Sequence, residues 1–217
     1  MPDTSTLKKR AQLVARRLRK AYPDAHCELN FSTPLELAVA SILSAQCTDR
    51  RVNQLTPRLF SRFDTAEDLA AIPVNELEEL IRPAGFYRNK AKSIHGLSLA
   101  LHEKHGGKLP DTMDTLVKLP GIGRKTANVL LISAFEKPGI TVDTHCKRVS
   151  TRLGLTRQKN PDHIEAELKS LLPRNRWAAF SHGIVWHGRY CCHARKPACS
   201  ECSLNDICPA ADPSVST

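Results

Sequence analysis

Two residues in this chain of 217 stand where carbon chemistry could be done. Lys125 opens an apolar helical run in "KLPGIGRKTANVLL", just behind a Gly-Ile-Gly turn. Helix N-termini carry partial positive charge and usually attract acids, so a lysine there sits against the local field. That field, joined to partial burial, would favour the neutral amine, a nucleophile toward carbon centres. Asp143 lies in "TVDTHCKRV", where an apolar stretch passes into a helix. Its carboxylate could accept a proton or stabilise positive charge developing on a sugar ring, and the same side chain suits a helix N-cap; the two roles are compatible.

A second kind of chemistry sits near the C-terminus. Five of the eight cysteines crowd into "CCHARKPACSECSLNDIC", and Cys192, Cys199, Cys202 and Cys208 have the spacing C-x6-C-x2-C-x5-C. Four thiolates so close in sequence can fold round one centre, whereas disulfides normally tie distant segments together. Such density without a secretory signal favours a metal. Zinc and an iron–sulfur cluster both suit the donors. The lack of paired C-x2-C knuckles weights the reading toward iron–sulfur, with zinc as the alternative. Cys27, Cys47, Cys146 and Cys191 then read as small buried hydrophobes. The loop "HARKPA" would hold Arg195 and Lys196 rigidly, a sensible place for phosphate contacts.

The elements that must position these groups read as helices. "STPLELAVASILSAQ" opens with a capping box and proline at the first helical position, then runs apolar nearly all round to Ala45, as a central buried helix would. "DTAEDLAAI", "VNELEELIRPAG", "RNKAKSIHGLSLALHEKHGG", "PDTMDTLVKL", "RKTANVLLISAF", "NPDHIEAELKSLLP" and "RNRWAAFSHGIVWHGRYC" supply the others. The basic N-terminal stretch "TLKKRAQLVARRLRKAY" reads as an amphipathic helix with Leu7, Leu13, Val14, Leu18 and Ala21 on one face, rather than a transit peptide. No alternating runs are joined by a hairpin turn, so the fold class is all-α. The tail "PAADPSVST" is expected to be disordered.

Leu-Pro-Gly-Ile-Gly between two helices is a helix–hairpin–helix pattern. Gly121 and Gly123 permit positive φ and close approach, so backbone N–H groups, with Arg124 beside them, can face a phosphate. The charge balance agrees: 32 Lys+Arg against 22 Asp+Glu give +10 and a pI near 9.4, which favours a polyanionic partner such as nucleic acid. No apolar run approaches the roughly 20 residues of a membrane span. The expectation is a soluble cytoplasmic protein with no membrane partner.

Taken together and in this order, "FSTPLELAVASILSAQCTD", "GFYRNKA", "LPGIGRKTANVLL", "TVDTHCKRV", "WHGRYC" and the cysteine spacing resemble the endonuclease III family, from about Leu7 to Cys208. The resemblance implies a two-lobed helix–hairpin–helix DNA glycosylase fold. A six-helix lobe over 27–137 would carry the hairpin and Lys125; a second lobe, 1–26 with 138–217, would carry the cluster and Asp143, with double-stranded DNA across the groove between them. It implies a [4Fe–4S] cluster on Cys192, Cys199, Cys202 and Cys208. It also implies a bifunctional DNA glycosylase and AP lyase acting on oxidised pyrimidines or abasic sites in base excision repair, with Lys125 as nucleophile and Asp143 as catalytic carboxylate.

The same resemblance makes Gln46 the residue that fills the gap left by a flipped nucleotide. Phe86 falls where the family often has an aliphatic wedge, and a core aromatic is its competing reading. Asp49 is a weaker candidate for contact with the flipped base, equally readable as a helix-surface charge. His145, His182 and His187 read as structural or DNA-facing. A monomer, cytoplasmic and nucleoid-associated, is expected. The rival readings are a monofunctional mismatch glycosylase of the same superfamily, disfavoured by Lys125, and a non-catalytic DNA-binding iron–sulfur module, disfavoured by the joint presence of Lys125 and Asp143.

Overall fold

The computed structural model describes residues 4–211. Within them all regular structure is helical: α1 (Thr4–Ala21), α2 (Pro34–Leu43), α3 (Asp49–Phe60), α4 (Ala66–Ala71), α5 (Val74–Ile81), α6 (Tyr87–His105), α7 (Met113–Leu116), α8 (Arg124–Ser133), α9 (Thr144–Arg152), α10 (Pro161–Leu171) and α11 (Trp177–Tyr190). Short 3₁₀ turns lie at Arg82–Ala84, Arg174–Arg176, Cys199–Glu201 and Asn205–Ile207. The chain divides into two compact units, Cys27–Glu136 and Met1–His26 with Lys137–Thr217. None of the described helices is long and apolar enough to cross a membrane.

The unit Cys27–Glu136 holds six helices and the single turn α7. At its centre α2 starts where the sequence says it should: Thr33 Oγ1 accepts the Glu36 N–H at 3.2 Å, and Pro34 occupies the first turn, where a missing N–H costs nothing. Glu36 reaches back to the Ser32 N–H at 2.6 Å, one residue before the cap. Leu35, Leu37, Ala38, Val39, Ala40, Ile42 and Leu43 are all buried, so the helix is enclosed on most of its circumference. It ends at Leu43 rather than Ala45, because Ser44 closes it and Gln46 adopts a left-handed φ of 53°. Helix α6 is the long strut against which α4 and α5 pack, and it stops at Gly106 in the left-handed conformation.

Helix α3 is absent from the sequence reading. Pro57 lies inside it, and arginines dilute its apolar pattern to Val52, Thr56 and Leu59, the i, i+4, i+7 stripe that tertiary packing buries. In the other unit α1 buries Ala11, Val14, Ala15 and Leu18 at helical spacing, as an amphipathic helix must. The expected face shifts slightly, with Leu13 only half-buried and Ala21 exposed. Of the tail read as disordered, Pro209–Ala211 continue a turn, the Ala211 N–H donating to Cys208 O at 3.1 Å; the rest lies outside the described residues.

The segment leading into α9 is pinned from α11. The Thr141 N–H donates to Ser181 Oγ at 2.8 Å, and both residues are buried. Replacing Ser181 with alanine strands that N–H away from water, an expected cost of about 1–3 kcal/mol. Urea unfolding of Ser181→Ala should show a lower midpoint at an unchanged slope.

Candidate functional site

The hairpin is built by packing two apolar residues and sparing one backbone position. Leu119 and Ile122 are buried, and the Ile122 N–H closes the turn on Leu119 O at 3.1 Å. Gly121 sits between them at φ 76°, and a Cβ there would fall 2.9 Å from Ser93 Cβ on α6 and 3.0 Å from Ile42 Cδ1 on α2. Both the dihedral and the space demand glycine. Gly96 of α6 faces Pro120 closely, an added Cβ lying 3.3 Å from Pro120 Cβ. Gly123 differs from expectation: its φ is −85°, no atom crowds it, and it serves as the N-cap of α8.

Arg124 and Lys125 are the first two residues of α8, at the four N–H groups that a helix start leaves without intrahelical partners. Lys125 is exposed, so the partial burial expected for it is corrected: only its place at the helix start sets it apart. The apolar remainder of α8, Ala127, Leu130, Leu131 and Ile132, anchors that start in the core.

Two further candidates of this unit share an unusual backbone. Gln46 and Phe86 have φ of 53° and 47°, in the left-handed region that disfavours residues with a Cβ. Gln46 is exposed, and Phe86 is 63% exposed, which removes the core-aromatic reading for it. Asp49 is the first residue of α3, capped by Thr48, and is half-buried.

The other unit carries Asp143 and the cysteines. Asp143 is the N-cap of α9, its Oδ1 accepting the Cys146 N–H at 2.7 Å. Cys146 beneath it is fully buried; desolvation, with the Asp143 charge adding to it, pushes its thiol up to about 12. It is a small hydrophobe, as the sequence suggests, and Cys191 is buried too, whereas Cys27 and Cys47 are half-buried against the core of their unit.

Cys192, Cys199, Cys202 and Cys208 line one cavity together with Cys191, His187, Val149 and Leu153. Polar donors point at its sulfurs: Arg152 Nη1 lies 3.2 Å from Cys192 Sγ, and the Leu204 N–H 3.4 Å from Cys202 Sγ. Such donors stabilise metal-bound thiolates. The tightest knot of ligand atoms is a different set, His187, Cys191 and Cys202, within 4.8 Å of one another. That closeness suits a single ion: His187 Nε2 lies 3.6 Å from Cys202 Sγ, while its Nδ1 meets Tyr22 Oη at 3.1 Å. Four thiolates from one short segment, with backbone and guanidinium donors beside the sulfurs, are the donors an iron–sulfur cluster takes. The donor set fits it.

The cysteine loop is held by arginines from two helices, α9 and α1. Arg148 of α9 donates through Nη2 to Gly188 O at 2.7 Å and through Nε to Cys192 O at 3.1 Å. Arg152, one turn on, donates to His193 O at 2.6 Å and Ala194 O at 2.9 Å. Arg17 of α1 reaches Ser203 O at 3.0 Å and pairs with Asp206. Gly188 permits the close approach of α9 and α11, since a Cβ there would lie 2.7 Å from His145 Cβ. The i, i+4 pair Arg148 and Arg152 was the available signal for these ties. Arg195 and Lys196 are exposed on the loop, Lys196 with φ 51°.

An all-α chain with this hairpin and this cysteine loop falls in one class. Residues 39–174 match the HhH-GPD superfamily of base excision DNA repair proteins, and residues 192–208 match the iron–sulfur binding domain of endonuclease III. Endonuclease III of Synechocystis sp. is 50% identical over 208 residues, 95% of each chain, and that of Bacillus subtilis 45% over 201 residues, 92% of each. The structure of a trapped endonuclease III–DNA covalent intermediate superimposes with a TM-score of 0.90 at 44% identity, over 94% of this chain and 96% of that one. The chain belongs to the endonuclease III family. It therefore carries a [4Fe–4S] cluster.

Gly121→Ala is expected to destabilise its unit by about 1–3 kcal/mol through left-handed strain and contact with Ser93. Gly123→Ala, with open space at the Cβ, is expected to lose less than about 1 kcal/mol, the price of a poorer cap. Chemical denaturation of the two variants side by side checks the contrast.

Proposed function

We propose that Lys125 and Asp143 are the nucleophile and the catalytic carboxylate of this chain, acting as a monomer on oxidised pyrimidines in duplex DNA. The chain is an enzyme, a bifunctional DNA glycosylase and AP lyase of base excision repair, and DNA is its substrate. The observation that carries the residue assignment is an exposed lysine at a glycine-capped helix start, in a chain that also sets a carboxylate at the N-cap of α9. The duplex engages the hairpin and Lys125 through one unit, and Asp143 with Arg195 and Lys196 through the other. Backbone N–H groups at Gly121 and Gly123, with Arg124, hold a phosphate; Gln46 and Phe86 enter the base stack, and Asp49 faces the flipped base.

The chemistry rests on these positions. The neutral Lys125 Nζ attacks C1′ of the flipped nucleotide as the glycosidic bond breaks and its electrons leave with the base. Asp143 stabilises the cationic sugar or takes the ammonium proton. Opening of the sugar ring gives a Schiff base between Nζ and C1′, which acidifies the C2′ protons. Loss of one of them expels the 3′ phosphate, cutting the strand by β-elimination. Cys192, Cys199, Cys202 and Cys208 would hold the [4Fe–4S] cluster, which supplies a rigid core for the basic loop. Their role as its four ligands is supported by their lying within residues 192–208, the segment that matches the iron–sulfur binding domain.

Borohydride reduction in the presence of a duplex carrying one thymine glycol or abasic site tests the assignment. The wild type should yield a covalent adduct and Lys125→Ala none. A folded, visibly coloured wild type that binds the duplex but forms no adduct would overturn the Schiff-base reading and leave a monofunctional glycosylase. Asp143→Asn is expected to bind the same duplex while turning over about 10²–10⁴-fold more slowly, the range for loss of a positioned acid–base group.

A further inference from the structure

The side chain of Lys90 is buried although nothing in the reaction calls for it. The residue is 4% exposed and lies on the apolar face of α6, in register with Ile94, Leu97 and Leu101. Its Nζ donates to Leu43 O at 2.8 Å and to Ala84 O at 2.9 Å. Leu43 is the last residue of α2, and Ala84 the last of the 3₁₀ turn Arg82–Ala84. A helix end leaves carbonyls without intrahelical donors and carries partial negative charge, so one buried ammonium caps two helical C-termini at once. Burial pushes the Lys90 pKa down, with the nearby Cys47 thiol pulling the other way.

Each capped carbonyl lies just ahead of a candidate for entry into the base stack. Gln46 is three residues beyond Leu43, and Phe86 two beyond Ala84. At about 3.3–3.6 Å per residue, they sit within roughly 11 Å and 7 Å of the clamped carbonyls. Both are exposed, and both hold the strained left-handed conformation. The Lys90 N–H also donates to Phe86 O at 3.2 Å, closing the first turn of α6 onto the same residue. Strained residues keep their conformation only where the surroundings over-determine it. Lys90 supplies that determination to both turns from a single atom.

We propose that Lys90 is a positioning residue for strand opening: its buried ammonium ties the Gln46 turn to the Phe86 turn, so that the two side chains enter the duplex at a fixed separation. The inference rests on the reading of Gln46 and Phe86 as the pair that enters the base stack. Lys90 touches neither DNA nor the reacting atoms. It acts through the two backbone turns it joins.

The test compares two substrates for each variant, one in which the duplex must be opened and one in which it need not. The substrates are a fully paired duplex with a single abasic site and the same abasic site in a single strand, both read by single-turnover strand cleavage. Lys90→Met keeps the apolar stem and removes the donors; it is expected to lose at least tenfold on the duplex and less than threefold on the single strand. Lys90→Arg, which restores donors and charge, should recover most of the duplex rate. Gln46→Ala and Phe86→Ala are the controls. If they show no duplex-selective loss, the stack-entry reading fails and this inference with it. If they do, while a folded Lys90→Met cleaves both substrates like wild type or loses equally on both, the positioning role alone is overturned. Should Lys90→Met lack the helical circular dichroism of the wild type, Lys90→Gln takes its place under the same criteria.

Discussion

A helix enclosed by other helices cannot send its last carbonyls to water, and the unit that carries the hairpin is organised around that constraint. Helix α2 is buried along most of its circumference, so its C-terminal carbonyls need donors from inside the protein. Ser44 closes part of the end through its own backbone, and Lys90 reaches Leu43 O from α6. A few ångströms back along the same helix, Ile42 forms one wall of the slot that only glycine can occupy at position 121. The turn ahead of Lys125 and the turns bearing Gln46 and Phe86 therefore share a single support. Displacing α2 would move all three.

The second unit reaches the same end by a different route. Helix α9 spans nine residues, about 13–14 Å. Asp143 caps its start, while Arg148 at its middle and Arg152 at its far end are bonded to carbonyls of the cysteine loop. A guanidinium presents several donors in a rigid fork, so two arginines one turn apart hold an irregular loop more firmly than lysines would. The cysteine loop and the carboxylate are thus opposite ends of one rod. Arg148 and Arg152 tie the loop that carries the four cysteines to the helix that starts at Asp143.

Much of the architecture is legible in the chain. Capping residues and the helical spacing of apolar side chains mark most of the elements, and Gly-Ile-Gly with the cysteine spacing marks both ends of the chemistry. Helix α3 is the clearest loss. Its interior proline and its arginines hide a three-residue buried stripe that exists because α2 and the 3₁₀ turn Arg82–Ala84 pack against the helix. Gly123 shows a subtler limit, because two glycines in one turn invite the same explanation, yet only Gly121 has the positive φ and the crowded neighbours.

The order of residues alone specifies which groups are available and what surrounds them locally: a lysine at a helix start, a carboxylate at a cap, four thiols within one loop. These depend on contacts a few residues apart, and such contacts leave a periodic or spaced signature. It took tertiary packing to expose Lys125, to turn Phe86 out of the core, and to point Lys90, Arg148 and Arg152 at backbone carbonyls, most of them far away in the chain. A long cationic side chain has the same composition on a surface as in a core. Its role is set by whether the fold leaves buried carbonyls within its reach.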